Sequence, residues 1–360
     1  MSVVEGSPRK RRYRMGHVAF AVSLVSLVWA GACAAPTPTP ALVSTKTTPT
    51  PPQAPSYTAT MRADLPATQA TVASAWVKDV LGHVLDLPPR APRAIWRDKA
   101  RGLALSSAQH AVLPPDEAAR FTSEVLDDAS YYAKYSSPLA YARALDLAAA
   151  HGLAGVDGRA VADFGYGDIG HLQMLAHAGA DIVGVDVNPL LSALYSEPED
   201  TGPVGRGVVR IVEGRWPLEP AHALVGGPFD LFLSKNTLKR GYVHPQEEAD
   251  PNMLIDLGVN DDTFLSAVHD ATKPGALVVL YNLCPAPAAA GQPSAPWSDG
   301  HSPFTETQWK AHGFEVLAFD VDDSEQARAL GRALGWDAGD DAMDLEHDLF
   351  AWFTVLRRAH

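Results

Sequence analysis

Apolar positions follow one rhythm up to about residue 150 and another beyond it. Val72, Trp76, Val80 and Val84 recur at every fourth position, which predicts a helix over Ala67–Leu87 that Pro88 and Pro89 end. Asp116 and Glu117 sit where the first turn of a second helix, Pro115–Leu126, would welcome negative charge. Ser137 and Pro138 read as an N-cap and its N1 proline, opening a helix through Leu139, Ala142, Leu145 and Leu147. Residues 59–150 are therefore expected to form a helical extension or cap. From about residue 155 short apolar runs alternate with helical stretches: VADF at 161–164, DIVGVD at 181–186, VVRIVE at 208–213, FDLFLSK at 229–235 and ALVVLYNL at 276–283. That alternation predicts an α/β domain over 151–360 with a mostly parallel sheet.

The first α/β unit carries the chemistry. A strand ends at Phe164, and Gly165 and Gly167 follow in a turn before a helix that reaches Gly179. Glycine lets the backbone turn sharply and approach a ligand without a Cβ in the way, and the helix start offers free N–H groups. The next strand ends in Asp186, about twenty residues after the first glycine, where a carboxylate can accept both hydroxyls of a ribose. Gly165, Gly167 and Gly170 would equally suit the pyrophosphate of a dinucleotide, so the turn alone leaves NAD open.

The segment VADFGYGDIG resembles motif I of class I S-adenosylmethionine (SAM)-dependent methyltransferases, with Asp163 two residues before the first glycine. It departs from that motif in its third glycine, at 170 where the family often has one at the position of Ile169. The resemblance continues through VVRIVEG, the strand with an early Asp230, the Lys273-Pro274-Gly275 turn, and the final runs GFEVLAFDVDD and DLFAWFTVLRR. It implies a Rossmann-like, seven-stranded sheet closed by an antiparallel C-terminal pair. It also implies SAM as cofactor. Asp163 would orient the loop and the methionine amine, and Asp186, beside Val187, would bind the ribose. Gly214, Arg215 and Trp216 would border the adenine, and Ser234 would stand at the ligand edge of the fourth strand.

Methyl transfer needs alignment more than acid–base chemistry, because the methyl group arrives activated. The loop SKNTLKRGYVHP offers Lys235, Asn236 and His244 as catalytic candidates, with Lys239, Arg240 and Tyr242 beside them. Its basic residues point to an anionic small-molecule acceptor. A second loop brings Trp297, Asp299 and His301. Tyr131, Tyr132 and Tyr135 could line a pocket or simply pack at a helix entry. Cys284 reads as a small buried hydrophobe more than a reactive thiol. No metal site is expected. The formal net charge of −13 argues against nucleic acid as a partner.

The N-terminus reads as an address. Arg9, Lys10, Arg11, Arg12 and Arg14 precede an apolar run from Val18 to Ala30. Ala30-Gly31-Ala32-Cys33 then resembles a bacterial lipoprotein cleavage box, although the family prefers leucine at the position of Ala30. Residues 1–33 would be a lipoprotein signal with Cys33 lipidated, and the Pro/Thr-rich 34–58 a tether. The expected location is the bacterial cell envelope, membrane-anchored, or the cytoplasm if the start codon is misassigned. Export conflicts with a cytoplasmic cofactor supply. It leaves two alternatives to a methyltransferase: a non-catalytic lipoprotein with a degenerate fold, and an NAD(P)-dependent oxidoreductase.

Overall fold

The computed structural model describes residues 56–360 except 135, 247, 287–294 and 340–341. Residues 1–55, with the basic stretch, the apolar run, Cys33 and nearly all of the tether, lie outside the described residues, as does Tyr135.

The parallel strands are β4 (Ala160–Phe164), β5 (Asp181–Asp186), β7 (Gly207–Glu213), β8 (Phe229–Lys235) and β9 (Thr272–Cys284). With β6 (Gly202–Val204), β10 (Phe314–Asp322) and β11 (Phe350–Arg358) they form one eight-stranded sheet, ordered β10-β11-β9-β8-β4-β5-β7-β6. β11 lies antiparallel between β9 and β10, which is the expected C-terminal pair. This is an α/β, Rossmann-like architecture. The count differs from seven by β6, three residues hairpinned onto the edge of β7 and too short to show a sequence period.

Alternation along each strand separates two cores. Val161, Ile182, Leu231, Leu233 and Val279 face one side, where they meet the helices Ala142–Ala150 and Gly170–His177. Ala162, Val183, Phe232 and Val278 face the other, against the helix Asp261–Asp270 and the aromatic group Phe164, Trp216 and Phe264.

The N-terminal part is not purely helical. It also holds β1 (Arg93–Asp98), β2 (Leu103–Ser106) and β3 (Thr122–Leu126), an antiparallel sheet ordered β2-β1-β3. The helix expected over Pro115–Leu126 stops at Ala118; Thr122 to Leu126 pair with β1 instead, as β-branched residues beside a free edge favour. The helix expected over Ala67–Leu87 is two, Tyr57–Ala70 and Ala75–Gly82. The break has a cause: the Asp146 carboxylate takes the backbone N–H groups of Ala73 and Ser74 at 3.1 and 2.9 Å, capping the second helix from outside. Ser137 caps as expected, accepting from the Leu139 N–H, and its turn leads into Ala142–Ala150.

Candidate functional site

The carboxyl ends of β4, β5 and β8 meet where the strand order reverses, the place where open α/β sheets hold ligands. Gly165 and Gly167 turn the chain there with φ of 76° and 65°, which side-chain-bearing residues rarely adopt. A Cβ at Gly165 would lie 2.7 Å from the Thr237 Cβ, so the turn and the start of the post-β8 loop fit together only because that residue is glycine. Asp186 at the end of β5 accepts N–H groups from Gly167 at 3.3 Å and Asn188 at 2.9 Å. Burial raises its pKa to about 6 against those bonds.

Asp163 is fully buried in a strand of apolar residues. Its Oδ2 accepts from the Tyr141 hydroxyl at 2.9 Å and from His171 Nε2 at 2.5 Å, and the Tyr141 and His171 rings stack 3.6 Å apart. Burial works against charge on His171, but its hydrogen bond to Asp163 and its ion pair with Asp168, Nδ1 to Oδ1 at 3.6 Å, prevail and raise its pKa. Asp168, buried beside it, accepts the Ser136 N–H at 3.1 Å, and burial pushes its pKa up. Lys235 closes the group: its Nζ bonds Ser136 Oγ at 3.0 Å and lies 5.3 Å from the Tyr141 ring centroid. Burial brings its pKa down to about 8 against the pull of Asp168 and Asp163. Three polar atoms in this cluster are buried without a hydrogen-bond partner: Asp163 Oδ1, Asp168 Oδ1 and His171 Nδ1. Buried polar groups are normally paired, so the spare Asp163 oxygen beside a glycine turn fits a ligand that brings its own N–H donor.

Other expected residues are occupied elsewhere. Ser234 Oγ accepts the Leu238 N–H inside the protein. Asn236 adopts φ 63° and gives its Oδ1 to the Leu283 N–H, tying β8 to β9. His244 pairs with Asp261 at 2.9 Å. Arg215 pairs with Asp256 at 2.6 Å, Trp216 is packed into the core, and Val187 is exposed. Gly214 donates its N–H to the Asp186 carbonyl. Asp230 lies at the opposite end of β8, where Lys273, Arg159 and the Ala160 N–H hold it. Tyr131 and Tyr132 are buried packing residues; Tyr131 donates to Asp200 and Tyr132 to the Pro88 carbonyl.

Lys235, Lys239 and Arg240 of the post-β8 loop each have a protein partner. Lys235 is in the cluster above, Lys239 is buried with its Nζ on the Leu283 carbonyl, and Arg240 grips Asp299 at 2.6 and 3.2 Å. Arg240, Asp299, His301, Ser298 and Gln246 line a cleft of about 230 Å³ between the loops that follow β8 and β9. Cys284, at the end of β9, is buried, and burial raises its thiol pKa to about 11. Among the described residues no group of three or more His, Cys, Asp or Glu could hold a metal ion.

Sequence reasoning missed Tyr141, Ser136, Asp168 and His171 as site residues. Asp168 and His171 stand inside and just after the glycine turn, and that adjacency was the available clue.

No protein-family model matches the chain, and no curated protein does. Solved structures are similar to part of the chain. One is geranyl diphosphate C-methyltransferase from Streptomyces coelicolor A3(2), in complex with Mg2+, geranyl diphosphate and S-adenosyl-L-homocysteine; it is 13% identical with a TM-score of 0.40 over 61% of this chain and 80% of that one. The [4+2]-cyclase SpnF is 17% identical with a TM-score of 0.38, over 61% of this chain and 81% of that one. Haemonchus contortus phosphoethanolamine N-methyltransferase 2, in complex with S-adenosyl-L-methionine, is 14% identical with a TM-score of 0.36, over 67% and 63%.

Proposed function

We propose that this chain binds SAM at the glycine turn and directs methyl transfer to a small acceptor held at the same sheet edge. The observation that carries the reading is the buried carboxylate oxygen without a hydrogen-bond partner, Asp163 Oδ1, next to Gly165, Gly167 and Asp186. Asp186 would take the ribose hydroxyls. Asp163 and Asp168 would take the α-ammonium, and the Lys235 ammonium would face the α-carboxylate. When bound, SAM supplies a sulfonium-activated methyl group, and what the chain adds is alignment and exclusion of water. A dinucleotide suits these residues less well. Buried Asp168 stands two residues before the first residue of the helix Gly170–His177, and its negative charge would oppose a pyrophosphate at that helix start.

Calorimetric titration of the full chain with SAM, S-adenosylhomocysteine and NAD(H) tests this. The expected result is a Kd for SAM or its product on the order of micromolar. Asp186→Ala should weaken it about tenfold or more, as loss of charged hydrogen bonds does. Binding of NAD(H) alone would move the protein to the oxidoreductases, and a folded chain that binds none of the three would support the non-catalytic alternative.

For the N-terminus we propose lipid attachment at Cys33. The support is the basic stretch, the apolar run Val18 to Ala30 and Ala30-Gly31-Ala32-Cys33; among the described residues no helix is long and apolar enough to cross a membrane. Incorporation of radiolabelled palmitate in a bacterial host, lost in Cys33→Ser, is the expected outcome; equal labelling of the two chains would dismiss it.

A further inference from the structure

We infer that His171 is a positioning residue for the amino-acid end of the cofactor. Clamped as an imidazolium between Asp163 and Asp168, it leaves one Asp163 oxygen for the ligand's α-ammonium and one net negative charge to receive it. The inference rests on the SAM-binding reading above and adds to it a residue that acts through Asp163.

The geometry sets the charge on the ring. Nε2 lies 2.5 Å from Asp163 Oδ2 and Nδ1 lies 3.6 Å from Asp168 Oδ1, so each ring nitrogen faces a carboxylate. All three side chains are buried. A neutral imidazole has one N–H and one lone pair, and here that lone pair would face a buried carboxylate. The imidazolium meets both carboxylates with N–H groups. Burial alone would lower the His171 pKa, yet the two carboxylates raise it. The Tyr141 ring lies on the imidazole, with centroids 3.6 Å apart and planes 8° apart, and its hydroxyl donates to the same Asp163 Oδ2 at 2.9 Å. Two donors therefore hold Oδ2, and Oδ1 is buried with no hydrogen-bond partner. Asp163 stands two residues before Gly165, Asp168 directly after Gly167, and His171 second in the helix Gly170–His177. The clamp thus closes across the glycine turn itself.

The charge count decides what the seat accepts. Asp163 and Asp168 bring two negative charges and His171 one positive, so one ammonium completes the balance. Lys235, bonded to Ser136 Oγ, then opposes the ligand's α-carboxylate. A buried carboxylate without a counter-charge takes up a proton instead and loses its hold on an ammonium. The titratable groups around the ring are Asp163 from β4, Asp168 from the turn, Tyr141 from the segment Pro138–Tyr141 and, 5.3 Å from the Tyr141 ring, Lys235 from β8. Those packed elsewhere along the helix face other residues: Tyr131 meets Gln173, and His83 meets His177.

The test is nitrogen-15 NMR of the histidine-labelled full chain across pH, alone and saturated with S-adenosylhomocysteine or 5′-methylthioadenosine. The second compound keeps the nucleoside and thioether and lacks the amino-acid end. The His171 signals are those missing from the His171→Gln spectrum. Both ring nitrogens should be protonated at neutral pH, where an ordinary histidine is mostly neutral. S-adenosylhomocysteine should move the titration to lower pH, because ammonium and imidazolium then share Asp163; 5′-methylthioadenosine should leave it in place. His171→Phe keeps a ring against Tyr141 and removes both N–H groups. By calorimetry it should weaken S-adenosylhomocysteine about tenfold or more and 5′-methylthioadenosine less than about twofold. His171→Gln restores one donor and should recover part of the loss. An unprotonated Nδ1 at neutral pH or an equal shift with both nucleosides would overturn the proposal, and these spectra of the parent decide it even if the Phe variant does not fold. Equal weakening of both nucleosides in a folded Phe variant would also overturn it, marking the ring as support for the fold alone. A parent chain that binds neither nucleoside would instead overturn the SAM reading beneath it.

Discussion

Asp186 shows how a binding residue costs the fold something. Its carboxyl is raised from the ordinary 3.8 to about 6, chiefly by burial. A carboxyl whose folded pKa is raised favours the folded state while protonated and opposes it once ionised. Its contribution is therefore lost as pH rises from about 4 through about 6. Asp186→Asn keeps an acceptor for one of the Gly167 and Asn188 N–H groups, which use different carboxylate oxygens, and removes the charge. The variant should match the parent's melting temperature at pH 4 and exceed it at pH 8, while SAM affinity falls. Paired thermal melts at the two pH values decide it; a variant that is less stable at pH 8 would mean the carboxylate stabilises the turn.

At the scale of elements, one buried ion pair joins the small N-terminal sheet to the large one. Asp200 is fully buried and accepts from Arg93 of β1 at 2.5 and 3.0 Å, from the Tyr131 hydroxyl at 2.7 Å and from the Glu197 N–H at 2.9 Å. Removing one partner of such a pair leaves the other charged and unpaired, at a cost of ~3–5 kcal/mol. Asp200→Ala should therefore lose about that much in urea unfolding, and Tyr131→Phe about 1.5–3 kcal/mol, the worth of a hydrogen bond to a charged group. Losses under 1 kcal/mol in both would mean the sheets are held by packing alone. This element was hard to read from sequence. Its strands are four to six residues long, separated by turns, and the Arg93–Asp200 ion pair that anchors them spans 107 residues of sequence. By contrast β4, the glycine turn and β5 were legible because turn, strand and carboxylate all lie within one short βαβ unit. The same distinction explains the site. Asp163 and Asp186 follow from local spacing, while Ser136 meeting Lys235 and Arg240 meeting Asp299 are consequences of topology that no spacing encodes.

For the whole molecule, the core runs across the boundary drawn near residue 150. Met61, Leu81, Ile95, Leu139 and Leu145 belong to the same apolar cluster as Val161, Leu172, Ile182, Val279 and Val355. The N-terminal part also supplies the Tyr141 hydroxyl to Asp163 and the Ser136 hydroxyl to Lys235, both inside the candidate cofactor site. A fragment of 151–360 would expose one face of the sheet and leave Asp163 with one partner fewer. It should bind a hydrophobic dye, unfold without a sharp transition and fail to bind SAM, whereas 56–360 should unfold in a single calorimetric transition. The two fragments differ in this way only if the N-terminal segment is structural to the α/β sheet and not an appended cap. A monomeric 151–360 fragment with full SAM affinity would show that Tyr141 and Ser136 merely cover the site, and would confine the binding chemistry to the glycine turn and Asp186.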